Sequence, residues 1–362
     1  MKKFLSYTMI LLLVLSSTCI NVYANVGSEE ENAELDILSD YEFDSKELTN
    51  LQKEKLTQEI IEQIGNVFGE NYSFENFEWE IEYFKRSDNT TKFYVTLSTD
   101  MTLVKNATEM PYYKGLSETL KSSVDPNERN TAQTLIDEYV EEVNSLYFNK
   151  PYRTMFRFEV EILNSDLESI TNENMIYNIS YISEDGLYPL DTLKLSDGEA
   201  VNNGKQAVQA ITALNSDHNE PLGITYSSYD RLGARDYAIN HFYDHHGEYS
   251  SNCANFVSYC LNQGGGLPQT SSWYPGSLNW IRTGYNGSEG VCIHVNNNEN
   301  FAWTSNRSII YAGCIVSWNA YSHVGLTTYG DGSLIRFSAH TTDKQDVYLP
   351  TSENVSFYRR PL

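Results

Sequence analysis

Cysteine and histidine are scarce in the first half of this 362-residue chain, and this scarcity locates the candidate chemistry. Residues 48–196 contain neither residue type, whereas Cys253, Cys260, Cys292 and Cys314 all lie further along. A chain of this length can bury a large core without cross-links, so we do not expect a disulfide scaffold. A Cys292–Cys314 bond stays open. Thiol or imidazole chemistry is therefore expected in the C-terminal part.

Basic residues are also few, since 25 Lys and Arg stand against 49 Asp and Glu and give a net charge of −24. Such a charge excludes electrostatic binding to nucleic acid or to an anionic membrane. The imbalance is uneven, because residues 221–362 hold only 8 basic and 10 acidic residues. This step in charge near residue 220 predicts two units with different roles.

A long apolar run occurs only near the N-terminus, where two lysines precede Met9–Val14 and a small-residue cleavage site ends at Ala24. The pattern predicts a signal peptide over residues 1–24, and its apolar run is too short to span a bilayer. Cys19 offers the alternative of a lipid-anchored protein, although Thr18 stands where a lipobox needs a smaller residue. We expect a secreted, extracellular or cell-wall-associated protein without a transmembrane segment, of open oligomeric state.

Four segments follow the signal peptide, and no internal repeat is present. Residues 25–47 are acidic and poor in apolar residues, which predicts a flexible leader. Residues 48–196 combine amphipathic helices with alternating strands and predict an α+β module of unknown role. A polar linker over 197–220 then joins the second domain, 221–362. The apolar positions behind the module are Leu56, Ile60, Ile61, Ile64, Val67 and Phe68; Phe93, Val95 and Leu97; Leu135, Ile136, Tyr139, Val140, Val143 and Tyr147; Phe156, Phe158, Val160 and Ile162; and Tyr177, Ile179 and Tyr181.

The C-terminal domain is predicted to open with a helix that Asp230 caps, followed by a helix from Cys253 with Asn252 as its N-cap. Gly264–Gly266 ends this second helix, because glycine readily adopts the left-handed conformation found there. Short β-rich runs follow. A helix packed on an antiparallel sheet is the natural assembly, so the predicted fold class is α+β throughout. The runs are Ile309–Val316, Val324–Tyr329, Leu334–Ala339, Asp346–Leu349 and Val355–Tyr358.

The position of Cys253 favours a nucleophile. A thiol in the first turn of a helix feels the positive end of the helix dipole, which lowers its pKa and favours the thiolate. The alternative is that Cys253 is only a small buried side chain, as most isolated cysteines are.

A nucleophile needs a base, and the stretch Ser322–His340 supplies two histidines. Asp331-Gly332 between alternating runs is typical of a two-residue hairpin turn. That register places His323 directly opposite His340, with Cβ atoms about 5 Å apart. His323 could then deprotonate Cys253 while His340 orients the His323 ring. A structural pair or a metal site are the alternatives for two facing histidines.

A family resemblance adds to these observations. "YDRLGARDYAINHF", "NCANFVSYCLNQGGG", "SSWYPGSLNWI", "SHVGL" and "SAHTT" follow one another over residues 224–361 and resemble the putative amidase domain family of secreted Gram-positive proteins. That family is similar in plan to NlpC-like and CHAP peptidoglycan hydrolases, which have a papain-like core. The resemblance implies Cys253 as nucleophile, His323 as base and His340 as the third polar residue.

The chain departs from the family pattern at two places. Asn252 stands where an Asp usually precedes the cysteine, and since either residue can cap a helix we expect little loss. Gly313-Cys314 stands where Gly-Asp usually precedes the strand that leads to the histidine, which leaves the local turn in question.

Other residues are weaker candidates. The oxyanion hole should include the backbone N–H of Cys253, with Tyr249 or Asn252 as side-chain donors. Trp273 could contact substrate, as could Trp280 and Trp303, although core packing explains each equally well. His241 and His245 have helical metal-ligand spacing but lack the glutamate of the zinc protease motif. We therefore expect no metal ion and no cofactor.

These observations predict a secreted cysteine hydrolase that cleaves an amide bond, with peptidoglycan as the favoured substrate and a thioester as the intermediate. Two alternatives stay open: acyl transfer from the same thioester, and a non-catalytic surface-binding protein on a degenerate scaffold.

Overall fold

The computed structural model describes residues 50–163, 177–217, 227–287 and 289–360, and all of them belong to one compact unit. The predicted signal peptide and the predicted leader lie outside these residues. Eight α-helices are assigned in the described ranges: α1 Asn50–Phe68, α2 Pro111–Ser122, α3 Pro126–Glu142, α4 Asp197–Asp217, α5 Arg231–Asn240, α6 Cys253–Tyr259, α7 Leu278–Ile281 and α8 Val291–Asn298.

The described strands form two antiparallel sheets. The first sheet has the order β1-β2-β3-β4-β5, and the second has the order β10-β9-β8-β7-β11-β6. This mixture of helices and antiparallel sheets confirms the α+β class. The strands are β1 Tyr72–Arg86, β2 Thr90–Leu103, β3 Tyr152–Leu163, β4 Tyr177–Ile182, β5 Leu187–Pro189, β6 Ala302–Thr304, β7 Ile315–Trp318, β8 Val324–Gly330, β9 Ile335–Ala339, β10 Lys344–Tyr348 and β11 Val355–Arg359.

The helices and strands follow the apolar periodicity of the sequence. In α1, Leu56, Ile60, Ile64 and Phe68 are buried, as an apolar stripe at helical spacing predicts. The alternating apolar residues of β2 and β3 face the same core. One difference concerns the start of the second domain's sheet, because most of the predicted run Ile309–Val316 is not strand and β7 begins only at Ile315.

Residues 197–217, within the predicted linker, form helix α4 rather than an irregular segment. Ala200, Ala207, Val208 and Ile211 are buried at helical spacing, a stripe that the polar composition of this stretch conceals. The position of a domain boundary near residue 220 stays a prediction.

A single hydrophobic cluster joins the first sheet to the second. It contains Phe68 and Phe156 from the first part of the chain together with Tyr348 and Phe337 from the second. The Phe156 and Tyr348 rings stack with centroids 4.8 Å apart. A second cluster lies under α5, α6 and α8 and includes the Cys253 side chain. The C-terminal sheet therefore packs on the N-terminal part on one side and on the Cys253 helix on the other.

Among the described helices, none combines the length and the apolar composition that crossing a membrane requires.

Candidate active site

Cys253 is the first residue of α6, as its sequence context predicts. The helix begins where the Phe256 N–H donates to the Asn252 carbonyl at 2.9 Å, and it continues into a π-helical turn over Cys260–Gly264. Phe256 and Val257 are buried and seat the helix in the second core cluster. The Cys253 side chain is only 1% exposed. The thiol is therefore held at a fixed point beside the C-terminal sheet.

His323 lies next to this thiol, at the entry to β8, and acts on its pKa. Burial alone raises the pKa of Cys253. The hydrogen bond and positive charge of His323, with the Val324 N–H and the Ser251 hydroxyl, outweigh burial and lower that pKa below its usual value. The site therefore favours a thiolate paired with an imidazolium.

The pKa of His323 moves in the matching direction. Burial lowers it, but the hydrogen bond to Cys253 and the negative charge of Glu184 raise it above its usual value. A thiolate and an imidazolium that stabilise each other are the reactive form of a cysteine nucleophile.

Glu184 was not among the residues predicted from the sequence. Its Oε1 lies 3.2 Å from His323 Nε2, and the two side chains are 2% and 5% exposed. The Thr342 hydroxyl donates to the same oxygen at 2.5 Å. Glu184 belongs to the β4–β5 turn of the first sheet. No local sequence pattern identifies Glu184 as a site residue. The chain has 49 acidic residues, and one of them in a turn resembles any solvated carboxylate.

Aromatic rings enclose the imidazole of His323. The Trp318 ring centroid lies 4.7 Å from it and the Tyr321 centroid 6.0 Å. The Trp318 indole N–H donates to Glu353 Oε1 at 2.7 Å, which fixes the ring. Rings of this size keep water from the ion pair and so strengthen its electrostatics.

His340 approaches the start of α6 but contacts a different residue. Its Nδ1 accepts from Asn252 Nδ2 at 2.8 Å, and its Nε2 donates to the Phe242 carbonyl. The ring stacks on Phe256 with centroids 4.2 Å apart. Burial lowers its pKa, which favours the neutral ring that this pattern of one donor and one acceptor requires. His340 thus braces the residue before Cys253, and its role in turnover stays a prediction.

The predicted register of the β8–β9 hairpin is wrong. The last pair before the turn is Gly330 with Ile335, so the turn spans four residues instead of two, and a bulge follows between Thr327 and Tyr329. The buried Asp331 carboxylate accepts from the Ser333 and Leu334 N–H groups and holds the longer turn. Its preference for these donors overrides the two-residue turn that Asp-Gly favours. His323 and His340 are therefore not cross-strand partners in the observed register.

Asn252 occupies the N-cap position, but its side chain does not cap the helix. Its amide donates to the His245 carbonyl at 2.9 Å and to His340, and its oxygen accepts from Asn255 at 2.9 Å. The expectation of a side-chain cap was wrong because neighbouring polar groups bind both ends of this amide.

The turn at Gly313-Cys314 is held without the Asp of the family pattern. The Cys314 N–H donates to the Thr327 hydroxyl at 2.8 Å, and that hydroxyl donates to the Tyr311 carbonyl at 2.7 Å. A threonine from β8 therefore performs the local bonding for which the missing carboxylate was a candidate.

Among the described contacts, none of the remaining predicted candidates bonds to Cys253 or stacks on His323. Trp273 is buried in the core, where it stacks on His294 and donates to Ser258 at 3.3 Å. Trp280 is also buried, whereas Tyr249 and Trp303 are exposed. The packing of Trp273 and Trp280 is that of ordinary core aromatics.

The histidines after α5 each pair with a carboxylate of their own. His241 bonds to Asp244 at 2.9 Å and His245 to Glu248 at 2.7 Å. Within the described ranges, no three or more His, Cys, Asp or Glu side chains converge as a metal ion requires. Cys253, Cys260, Cys292 and Cys314 are free thiols.

The fold and this site define an α+β protein with a buried cysteine–histidine pair at a helix start. Comparison with family models matches residues 228–356 to the putative amidase domain, a span of just over a third of the chain. The match includes Cys253, His323 and His340 and indicates amide hydrolysis as the activity of this part. No curated protein matches the chain, and neither does any solved structure.

Proposed function

We propose that this protein is a cysteine-dependent amidase in which Cys253 is the nucleophile and His323 the general acid and base. The observation that supports it most is the placement of His323 beside Cys253 at the start of α6, which lowers the pKa of the thiol and raises that of the imidazole. Burial alone would have moved both in the opposite directions.

The proposed reaction has two stages. The Cys253 thiolate attacks the amide carbonyl carbon, and the oxyanion receives a hydrogen bond from the Cys253 backbone N–H. The His323 imidazolium gives its proton to the leaving amine as the C–N bond breaks, which leaves a thioester. The neutral imidazole then takes a proton from water, whose oxygen attacks the thioester and releases a carboxylic acid. The proton taken from water stays on His323 as the Cys253 thiolate leaves, which restores the thiolate–imidazolium pair.

The proposed substrate is peptidoglycan, and the proposed location is outside the cell or in its wall. The predicted export signal over residues 1–24 supports the location, and the papain-like plan of the family that residues 224–361 resemble supports the substrate. An acidic chain cannot hold an anionic wall by charge, so substrate recognition must come from shape and hydrogen bonding.

Digestion of purified peptidoglycan tests this proposal. The wild-type protein should release fragments with new amine and carboxylate ends, identified by mass, whereas Cys253→Ala should release none. Cys260→Ala serves as the matched control, because Cys260 is equally buried in the same helical segment and lies outside the pair.

Three other outcomes would replace the proposal. Fragments joined to an added amine would assign acyl transfer. Retained cleavage by Cys253→Ala would remove the cysteine mechanism. Binding without cleavage, by the wild type and the variant alike, would assign a non-catalytic surface protein.

A further inference from the structure

The carboxylate that contacts His323 comes from the N-terminal half of the chain, whereas Cys253 and His323 come from the C-terminal half. We propose that Glu184, in the β4–β5 turn of the first sheet, is the residue that positions His323, so that both sheets are needed to assemble the site. This inference rests on the proposed role of Cys253 and His323.

The geometry places the Glu184 carboxylate at the Nε2 atom of the imidazole. His323 Nε2 lies 3.2 Å from Glu184 Oε1 and makes no aligned hydrogen bond within the described part of the chain. A ring that acts on the Cys253 thiol and is faced at Nε2 by a carboxylate has the order nucleophile, base, orienting group.

Two polar atoms at this contact are buried without hydrogen bonds among the described residues: Glu184 Oε2 and His323 Nε2. Buried polar groups without partners are rare and costly, and in native proteins they mark a site whose function explains them. A small rotation of either side chain would align the carboxylate with the Nε2–H, so each group satisfies the other.

The β4–β5 turn is anchored firmly enough to position a side chain. The Ser183 N–H donates to the Gly186 carbonyl at 2.9 Å and closes the turn. The Ser183 hydroxyl donates to Glu353 Oε2 at 2.6 Å, and the Tyr181 hydroxyl donates to the Tyr348 carbonyl at 3.1 Å. The last two bonds tie the residues just before Glu184 to β10 and to the loop before β11, so the carboxylate is held by the fold.

His340, which the sequence places third, has no ring nitrogen left for this task. Both of its nitrogens bind elsewhere, to Asn252 and to Phe242. Glu184 is therefore the better-placed orienting group for His323, and His340 positions the start of the nucleophile helix.

Several charged or titratable groups face His323, and their contacts distinguish them. Cys253 faces it from α6, Glu184 from the β4–β5 turn, Glu353 from the loop before β11, and Tyr321 from the β7–β8 loop. Burial raises the pKa of Glu353 to about 7, and its oxygens are bonded to Ser183 and Trp318. Glu184 is the carboxylate in ion-pair contact with the imidazole.

Substitution Glu184→Gln, with Glu80→Gln as the matched control, tests this inference in the full-length protein. Glu80 is an exposed glutamate on β1 of the same sheet. The readout is the rate of Cys253 alkylation by iodoacetamide from pH 5 to pH 9, followed by mass mapping. Without the carboxylate, the imidazolium is less stable and the thiol pKa rises, so the profile of Glu184→Gln should shift to higher pH while that of Glu80→Gln should not.

Turnover gives the second readout. Loss of an orienting partner should lower kcat by about 10- to 100-fold with little change in KM, because the group acts through His323 and does not touch substrate. Glu184→Asp keeps a carboxylate on a shorter stem and should recover part of both readouts, and it replaces Glu184→Gln if that variant does not fold.

Separate results overturn separate claims. A Glu184→Gln protein that is folded and has the wild-type alkylation profile contradicts the positioning role, even if its turnover falls. The alkylation profile does not depend on the substrate, so it decides the role of Glu184 even if no amide is cleaved. Failure of the wild type to cleave peptidoglycan would instead count against the proposed function.

Discussion

The four C-terminal cysteines show that neighbours, more than burial, set the chemistry of a thiol here. Cys253, Cys260, Cys292 and Cys314 are all at most 2% exposed. Burial raises the pKa of three of them, and only Cys253, beside His323, has a lowered pKa. Because the thiolate is the nucleophilic form, we expect one reactive thiol, beside the imidazole, and three less reactive ones.

Alkylation measures this difference directly. At pH 7, Cys253 should react with iodoacetamide faster than the other three cysteines, with an apparent pKa below the free-thiol value of about 8.5. Equal burial makes the other cysteines internal controls for access. Reactivity should fall as pH drops through the lowered pKa of Cys253. Equal labelling of all four, or labelling of Cys253 that begins only above pH 8.5, would contradict the thiolate assignment.

Glu353 predicts a pH dependence of stability. Burial raises its pKa to about 7 in the folded protein, from 4.5, and the nearby Asp185 adds to the effect. Between these values the folded chain binds a proton that the unfolded chain has released, so stability falls as pH rises through this window. Across the whole window, the free energy of unfolding falls by about 3 kcal/mol.

Glu353→Gln removes this ionisation. Relative to wild type, the variant should gain stability as pH rises from 5 to 8, measured by urea unfolding at each pH. Parallel stability curves for the two proteins would show that Glu353 does not carry the effect.

The position of the Cys253 helix depends on glycine residues as well as on its apolar stripe. Its π-helical end packs against α5 at the contact of Gly264 with Gly233. A Cβ at Gly264 would lie 2.5 Å from the Gly233 carbonyl oxygen and 2.6 Å from the Tyr237 Cβ, distances that real Cβ atoms do not show. The glycines that the sequence marks as a helix end therefore also bring two helices together.

Alanine substitutions of two helical glycines should act in opposite directions. Gly264→Ala should destabilise the protein by about 1 to 3 kcal/mol, because α5 must move away. Gly65→Ala, in α1, meets nothing within 4 Å and should stabilise it by up to about 1 kcal/mol, because alanine is the better helix former. Thermal unfolding of both variants decides the point. A harmless Gly264→Ala would show that the contact with α5 is loose.

The two halves of the chain are joined by polar contacts as well as by the shared core. Asp331, fully buried in the β8–β9 turn, accepts from the hydroxyls of Tyr72 and Tyr329. Its own carbonyl accepts from Tyr139 at 3.3 Å. Tyr72 and Tyr139 belong to the N-terminal part, so the Asp331 carboxylate links β1, and its backbone carbonyl links α3, to the turn of the second sheet.

Asp331→Ala should cost about 3 to 5 kcal/mol, because it leaves buried hydroxyl and backbone donors without an acceptor. Asp236→Ala, at an exposed carboxylate on α5, should change stability by no more than about 0.5 kcal/mol. Urea unfolding followed by tryptophan fluorescence and by circular dichroism should give coincident transitions in the wild type, since the halves share a core. Two separate transitions would show that the halves unfold independently.

Local patterns in the sequence were sufficient for helices α1, α3, α5 and α6, for most strands and for the position of Cys253. The apolar spacing of α1 and the alternation in β2 and β3 require no distant partner to be recognised, because burial of one face dictates them. Cys253 at a helix start is equally local, since a helix break and an apolar stripe define the position. His323 was chosen from the predicted hairpin register with His340 and from the family resemblance, and it lies beside Cys253 although that register is wrong.

The hairpin register, the buried stripe of α4 and Glu184 could not be derived in this way. The observed register differs from the predicted one because the Asp331 carboxylate is buried and must be hydrogen-bonded. Its donors are the Ser333 N–H nearby and the Tyr72 hydroxyl from another part of the chain. Glu184 is 139 positions from His323 and carries no local signal. Only the packing of the first sheet on the second brings the two within 3.2 Å, because that contact depends on a shared core and not on sequence spacing.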